Sequence, residues 1–173
     1  MIISVEKAKS LISFPNWTDE KIEMKLKAVE QTIRAYTNNN FQNRGIRSEC
    51  SVLYGSLYGS TAGFAVGDTV QITESKLNSG LHVITAVDDS GISVEDDLQE
   101  ESHVLVTKVE YPADVVNCCV DLMEWAVNFA GKVGIKSETL SRHSVTYEDS
   151  ATMFMGYPAS LLGCLKPYRK ARC

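Results

Sequence analysis

Apolar residues recur at helical spacing downstream of Trp17, and they predict a first long helix. One residue in every three or four is apolar there, which places all of them on one buried face. Thr18 precedes the stripe and is suited to cap the helix, while the asparagine-rich residues 37–40 are suited to end it, because asparagine tolerates left-handed backbone. The residues of the stripe are Ile22, Leu26, Val29, Ile33 and Tyr36.

A second helix is predicted after Pro112, and its apolar residues cover more than one face. Pro112 stands near its start, and Gly131 and Gly134 stand near its end, the positions that these residue types favour in helices. A helix with apolar residues on several sides is buried on several sides, either within its own fold or against a neighbouring subunit. Both interpretations stay open. The residues predicted for a subunit interface are Val116, Val120, Met123, Trp125 and Val127.

Between these helices the pattern changes to short stretches rich in valine, isoleucine, threonine and tyrosine. Two turn-forming sequences, Asn-Ser-Gly at 78–80 and Asp-Asp-Ser-Gly at 88–91, separate some of them. Stretches of this length and spacing predict a small antiparallel barrel or sheet of about five strands.

The predicted fold class is therefore α+β, with a small helical bundle core, an inserted small antiparallel β barrel or sheet, and an extended C-terminal tail. Residues 1–44 and 109–135 are assigned to the helical core, 45–108 to the β module, and 136–173 to the tail. The tail combines a strand-like stretch, a loop and a short apolar helix, which is too little to bury much of itself. We therefore expect it to dock on another surface.

The acidic residues are concentrated in the predicted β module. Residues 67–110 contain ten acidic side chains against Lys76 and Lys108, a balance of −8, in a chain of 173 residues with a net charge of −5. Such segregation can orient subunits or partners electrostatically, and a well-solvated acidic surface accounts for it equally well. No run of eighteen apolar residues and no signal-peptide pattern occurs, so we expect a cytoplasmic chain without a membrane partner.

No constellation of residues indicates an enzyme or a cofactor. The five cysteines are odd in number and lack a C-x-x-C motif, which favours reduced, structural thiols. His82 and His103 fall in predicted strands, and Ser141, His143 and Ser144 would need a third, orienting group to form a hydrolytic site. The acidic stretch lacks the spacing of a calcium loop, and no phosphate-binding glycine motif occurs. We expect no catalytic activity, no cofactor and no metal.

The C-terminal sequence SLLGCLKPYRKARC, at residues 160–173, is the strongest candidate for a binding site. It places leucines directly before a tyrosine and four cations. Mixed apolar, aromatic and arginine residues are typical of protein–protein hot spots, whereas cations also suit a nucleic-acid backbone. Protein docking is favoured, and a nucleic-acid-binding adaptor is the alternative. The residues predicted to dock are Leu161, Leu162, Leu165, Lys166, Tyr168, Arg169, Lys170 and Arg172.

Four stretches of the sequence resemble the head-tail connector proteins of tailed bacteriophages, also called head-completion or adaptor proteins. The stretches are IRAYTNNNFQNR after the first long helix, VGDTVQITESKLNSGLHVITAV in the β module, YPADVV before the second helix, and the C-terminal region from SETLSRHSVTYED to LKPYRKAR. The YTNNNF and L-x-P-Y-x-K-A-R patterns are the most specific of these. The resemblance runs nearly end to end.

This resemblance implies a structural virion protein without enzymatic activity, which forms a twelve-membered ring at the head-tail interface. Such a ring links the portal protein of the DNA-filled head to the stopper or tail-completion protein, and DNA passes through it without sequence-specific binding. The C-terminal segment would dock on the portal, with its leucines in apolar grooves and its tyrosine and cations fixing the register. The chain would be in the host cytoplasm during assembly and in the virion afterwards.

The β insertion departs from the smaller members of that family, which need only helices and the tail. Its acidic surface would either repel the passing DNA or face a neighbouring virion protein.

Overall fold

A computed structural model describes residues 1–129, 137–140, 143–146 and 153–171 of the chain, which form two compact units. The barrel unit comprises Met1 and Asn40–Tyr111, and the helical unit comprises Ile2–Asn39 and Pro112–Cys173. The predicted β module, residues 45–108, lies inside the bounds of the barrel unit. The described part of the predicted tail belongs to the helical unit.

Six antiparallel strands form a closed barrel in the order β1-β2-β5-β4-β3-β6. The strands are β1 (Gln42–Leu53), β2 (Ser56–Gly59), β3 (Thr69–Thr73), β4 (Gly80–Val87), β5 (Gly91–Val94) and β6 (Glu101–Val109). The barrel closes because β6 pairs with both β1 and β3, so that every strand has two neighbours and no edge is left exposed. Its core consists of Cys50, Val52, Leu57, Phe64, Val70, Ile72, Ile84, Ile92, Leu98, Val104 and Val106.

The predicted fold class, an α+β chain built on a small helical bundle core, is wrong about that core. The protein is a mostly β, six-stranded closed barrel with a few helices, although it does combine helices with antiparallel strands. The error has a physical cause. Strand β1 begins at Gln42, inside the region assigned to the helical core, and Gln42 pairs with Val109 at the far end of the unit. Pairing between such distant residues leaves no signal in the local periodicity.

Two turns show how local sequence shapes the barrel. Tyr54 and Gly55 have positive φ values of 51° and 77°, as in a tight hairpin turn that matches the twist of its strands. In the predicted turn at 88–91, which the structure confirms, the Asp88 carboxylate accepts hydrogen bonds from the N–H groups of Ser90 and Gly91, each 2.8 Å long. These bonds hold the pKa of Asp88 below its usual value, because they favour the charged form.

The helical unit contains α1 (Val5–Leu11), α2 (Asp19–Thr37), α3 (Ala113–Phe129) and a 3₁₀ helix (Gly163–Tyr168). Two antiparallel strand pairs follow α3. The first joins β7 (Ser137–Leu140) and β8 (His143–Thr146), and the second joins β9 (Met153–Phe154) and β10 (Tyr157–Pro158). The prediction for α2 is confirmed, since Thr18 Oγ1 accepts a hydrogen bond from the N–H of Lys21. The predicted stripe is buried except for Tyr36, which is half-buried.

Candidate docking surface

The C-terminal segment, which we define as residues 153–171, is hydrogen-bonded to the end of α2. The Thr37 carbonyl accepts a bond of 2.8 Å from the N–H of Lys170. The side-chain amide of Asn38 donates a bond of 2.9 Å to the carbonyl of Ala171. The YTNNNF run and the C-terminal sequence, which are distant along the chain, therefore form one structural element.

Two further contacts extend this attachment. The amide of Asn39, a buried residue, donates a bond of 3.2 Å to the carbonyl of Tyr168. The Arg169 guanidinium lies over the ring of Tyr36, 5.2 Å from its centroid, within the range of a cation–π interaction. Together with the bonds at Thr37 and Asn38, these contacts fix the path of residues 168–171.

The backbone of Asn38 explains why α2 ends where the segment attaches. Asn38 adopts left-handed geometry, with φ 48° and ψ 37°, and its N–H bonds the Arg34 carbonyl. Asparagine tolerates this geometry better than most residues. The helix therefore stops there, and the asparagine side chain is left to bond the C-terminal segment instead of the helix.

The leucines of the predicted docking set lie mostly inside the chain's own core. Leu162 and Leu165 are fully buried, and the 3₁₀ helix that includes Leu165 packs against α2 and α3. Leu161 is half-buried. The tail was expected to bury these residues on another surface, whereas in this structure two of the three are already covered.

The cations of the segment remain at the surface. Lys166, Arg169 and Lys170 are exposed, and we call these three residues the basic face. Tyr168 is half-buried and its hydroxyl donates a bond of 3.1 Å to Asp114 at the start of α3. Partial burial and this carboxylate raise the pKa of Tyr168. The predicted docking residue Arg172 lies outside the described residues.

The five residues predicted for a subunit interface divide into two groups on α3. Met123 is fully buried within its own unit, and Trp125 is half-buried and packs against aromatic rings of that unit. Val116, Val120 and Val127 are half-buried as well, and their spacing places them along one side of the helix. We call these three residues the valine stripe. It leaves apolar area at the surface.

Charge divides between the two units. The barrel unit carries eleven acidic against four basic residues, a balance of −7, and the helical unit carries eleven acidic against thirteen basic residues, a balance of +2. The acidity noted in the sequence therefore belongs to the barrel, and the basic face belongs to a unit of opposite net charge.

One acidic side chain of the barrel has a structural role. The Glu101 carboxylate accepts hydrogen bonds from the Ser75 hydroxyl, from the Lys76 N–H at 2.8 Å and from the Asn78 amide at 2.7 Å. Asn78 in turn accepts from the N–H of Gln99 at 2.7 Å. The Ser75 bond is the largest of the effects that lower the pKa of Glu101. This network ties the β3–β4 loop to the chain that precedes β6.

The candidate catalytic residues from the sequence do not assemble into a described site. His82 and His103 lie in β4 and β6, as predicted, and each contacts a carboxylate. His143 and Ser144 lie in β8, and Ser141 falls outside the described residues. Within the part of the chain that the structure describes, no three potential metal ligands cluster together. Among the same residues, no helix has the length and apolar character to span a membrane.

Sequence reasoning missed the residues that hold the basic face in place. Asn38 and Asn39 were interpreted as the end of a helix and as part of the YTNNNF pattern, but not as partners of the C-terminal sequence, and Asp114 was given no role. The sequence did contain a signal for this contact, because its run of asparagines is longer than a helix cap requires. An asparagine amide can hydrogen-bond a distant carbonyl as readily as a local one.

No protein-family model matches the sequence, and no curated protein is significantly similar to it.

Proposed function

We propose that the chain is a head-tail connector subunit of a tailed bacteriophage, a structural protein whose ring joins the portal to the stopper or tail. The observation that carries this proposal is the basic face, which the end of α2 holds in a fixed position. The two sequence patterns most specific to the resemblance, YTNNNF and L-x-P-Y-x-K-A-R, are the two that contact each other. The shared contact supports treating them as one functional element.

The attachment of the basic face suits it to docking. Long basic side chains on an unstructured tail lose both backbone and side-chain entropy when they bind. Here the backbone of residues 168–171 is already hydrogen-bonded, so its conformational entropy is lost on folding and not on binding. Lys166, Arg169 and Lys170 would bind an acidic surface of the portal and orient the subunit on it.

Ring formation needs two different complementary faces on each subunit. Two features of the chain could form such faces. One is the opposite net charge of the barrel and helical units, −7 and +2, and the other is the apolar area of the valine stripe. A ring of twelve copies at the head-tail interface is the assembly that the resemblance implies.

The test is co-sedimentation of the chain with portal rings from its own phage. Removing the C-terminal segment is unsuitable, because Leu162 and Leu165 are core residues. We therefore choose Lys166→Glu/Lys170→Glu, which reverses two exposed charges, and Lys7→Glu/Lys27→Glu as a control with the same change in net charge elsewhere on the helical unit. We expect the first variant to lose about tenfold or more in portal affinity and the control to bind like the wild type.

Equal binding by the two variants would show that the basic face is not the anchor. Absence of binding by the wild-type chain would contradict the connector function itself. In that case DNA affinity should be measured against salt concentration, because a nucleic-acid adaptor loses affinity steeply as salt rises.

A further inference from the structure

Two cysteines meet where the C-terminal segment packs on α3. Cys118 lies in α3 and is fully buried, and Cys164 lies in the 3₁₀ helix and is exposed. Both thiols donate to the same acceptor, the carbonyl oxygen of Leu161, at 3.5 Å from Cys118 Sγ and 3.6 Å from Cys164 Sγ. Burial and, after it, the neighbouring Cys164 thiol raise the pKa of Cys118.

We propose that Cys118 and Cys164 are an oxidisable thiol pair, which peroxide converts to a disulfide that fastens the C-terminal segment to α3. The bond itself is inferred from the Leu161 carbonyl that the two thiols share. Its effect on docking rests on the proposed function, since it matters only if the basic face is used in binding.

The chemistry begins at the exposed thiol. The Cys164 thiolate attacks one oxygen of hydrogen peroxide, the O–O bond breaks, and a sulfenic acid forms with release of water. The Cys118 sulfur then attacks the Cys164 sulfur, the S–O bond breaks, and the hydroxyl leaves as a second water with the proton of Cys118. Two thiols and one peroxide thus give one disulfide and two waters.

The surroundings of the two sulfurs support this order of events. Burial raises the pKa of Cys118 well above that of an ordinary thiol, so it is a poor first target for peroxide, which reacts with thiolates. Because the two thiols share the Leu161 carbonyl, Cys118 is nevertheless the group placed to resolve a sulfenic acid at Cys164. A solvent-accessible thiol next to a resolving cysteine is the usual arrangement of redox-sensitive sites.

The other described cysteines lack this arrangement. Cys119 is fully buried, and its burial and the neighbouring Glu30 raise its pKa to about 12. Cys50 is buried in the barrel, where its thiol bonds Ser48. Neither has an exposed cysteine beside it among the described residues. The pair at the C-terminal segment is therefore distinct from the structural thiols that the sequence predicted.

The disulfide would attach the segment that carries the basic face covalently to α3. A bond from residue 118 to residue 164 links α3 to the start of the 3₁₀ helix, and it constrains the unfolded chain as well. The disulfide would keep the start of the 3₁₀ helix against α3, in the position that this structure shows.

The experiment treats the full-length chain with hydrogen peroxide, removes the excess, and maps disulfides by mass spectrometry of tryptic peptides. We expect the wild type to lose two hydrogen atoms per chain, with the bond between Cys164 and the peptide that carries Cys118 and Cys119. Cys119→Ala should keep the bond, and Cys118→Ala or Cys164→Ser should lose it. Because Cys164 is exposed, Cys164→Ser keeps the test valid even if Cys118→Ala does not fold.

A second readout is the melting temperature. Both tryptophans, Trp17 and Trp125, belong to the helical unit, so their fluorescence reports its unfolding. Oxidation should raise the midpoint by roughly 5 °C in the wild type and leave Cys164→Ser unchanged.

Three results would overturn the inference: oxidation of Cys164 to sulfinic or sulfonic acid without a cross-link, a bond between two chains, or a bond from Cys164 to Cys173. Portal binding is measured separately. Failure of the oxidised and reduced chains to bind portal would count against the proposed function, and it would leave the mapped bond unaffected.

Discussion

A single residue, Asn38, does two things that can be separated by mutation. Its left-handed backbone ends α2, and its side-chain amide bonds the carbonyl of Ala171. Asn38→Gly keeps the backbone geometry and removes only the amide, whereas Asn38→Ala removes the amide and adds the strain of a left-handed alanine, about 1 kcal/mol.

We therefore expect Asn38→Gly to lower the free energy of unfolding of the helical unit by roughly 1 kcal/mol and Asn38→Ala to lower it further. Denaturant titration followed by tryptophan fluorescence measures both. If Asn38→Ala were as stable as Asn38→Gly, the left-handed geometry would not be a constraint on this position.

Glu101 makes the stability of the barrel depend on pH, and the stability should fall as the pH is lowered. The folded pKa of this carboxyl lies below its ordinary value of 4.5, because the Ser75 hydroxyl and the Lys76 N–H favour the charged form. Its contribution to stability is therefore present above pH 4.5 and is lost as the pH falls through the folded pKa.

The matching variant is Glu101→Gln, with the exposed neighbour change Glu100→Gln as its control. We expect urea unfolding followed by far-UV circular dichroism to show a smaller loss of stability on acidification for Glu101→Gln than for the wild type. The folded pKa of Asp88 is also below its ordinary value, so Asp88 contributes to the same acid-induced loss of stability. The variant should therefore reduce this loss without abolishing it. If Glu101→Gln lost as much stability on acidification as the wild type, the hydrogen bonds to Glu101 would not be the source of the pH dependence.

Among the elements, the 3₁₀ helix packs against both α2 and α3. Leu165 is fully buried in it, while the preceding Leu161 is only half-buried. Leu165→Ala should lower the free energy of unfolding of the helical unit by about 2–5 kcal/mol, as is usual for a buried leucine, and Leu161→Ala should cost clearly less. Tryptophan fluorescence in denaturant distinguishes them, and equal effects would mean that Leu165 is not a core residue.

The elements also show what the sequence could predict and where it failed. Helix α2 was predictable because its cap at Thr18, its apolar stripe and its asparagine stop all act within a few residues of one another. The barrel's strands were visible as β-rich stretches, but their closure depends on β6 pairing with β1 and β3, contacts between distant residues. The attachment of the C-terminal segment was missed for the same reason, since residues 38 and 171 meet only in the folded chain.

At the scale of the whole molecule, the segregation of charge was predictable by counting, while its assignment to a barrel and a helical unit needed the fold. Opposite charges bring subunits together over a distance, but they contribute little once they are exposed to salt. A stable ring would need buried apolar area as well. On α3 the valine stripe supplies such area, because Val116, Val120 and Val127 remain half-buried in the single chain.

The valine stripe can be tested for a role in assembly by placing a charge in it. A glutamate at position 120 would have to be buried in a subunit contact without a partner, which is strongly unfavourable, while the isolated chain could leave it in water. We expect Val120→Glu to prevent self-association in sedimentation velocity runs, with and without portal rings, and to leave the circular dichroism spectrum unchanged. Asn128→Glu places the same charge at an exposed position of the same helix and should assemble like the wild type. If Val120→Glu also assembled normally, the valine stripe would be an ordinary half-exposed surface, and the subunit contact would have to be sought on another face.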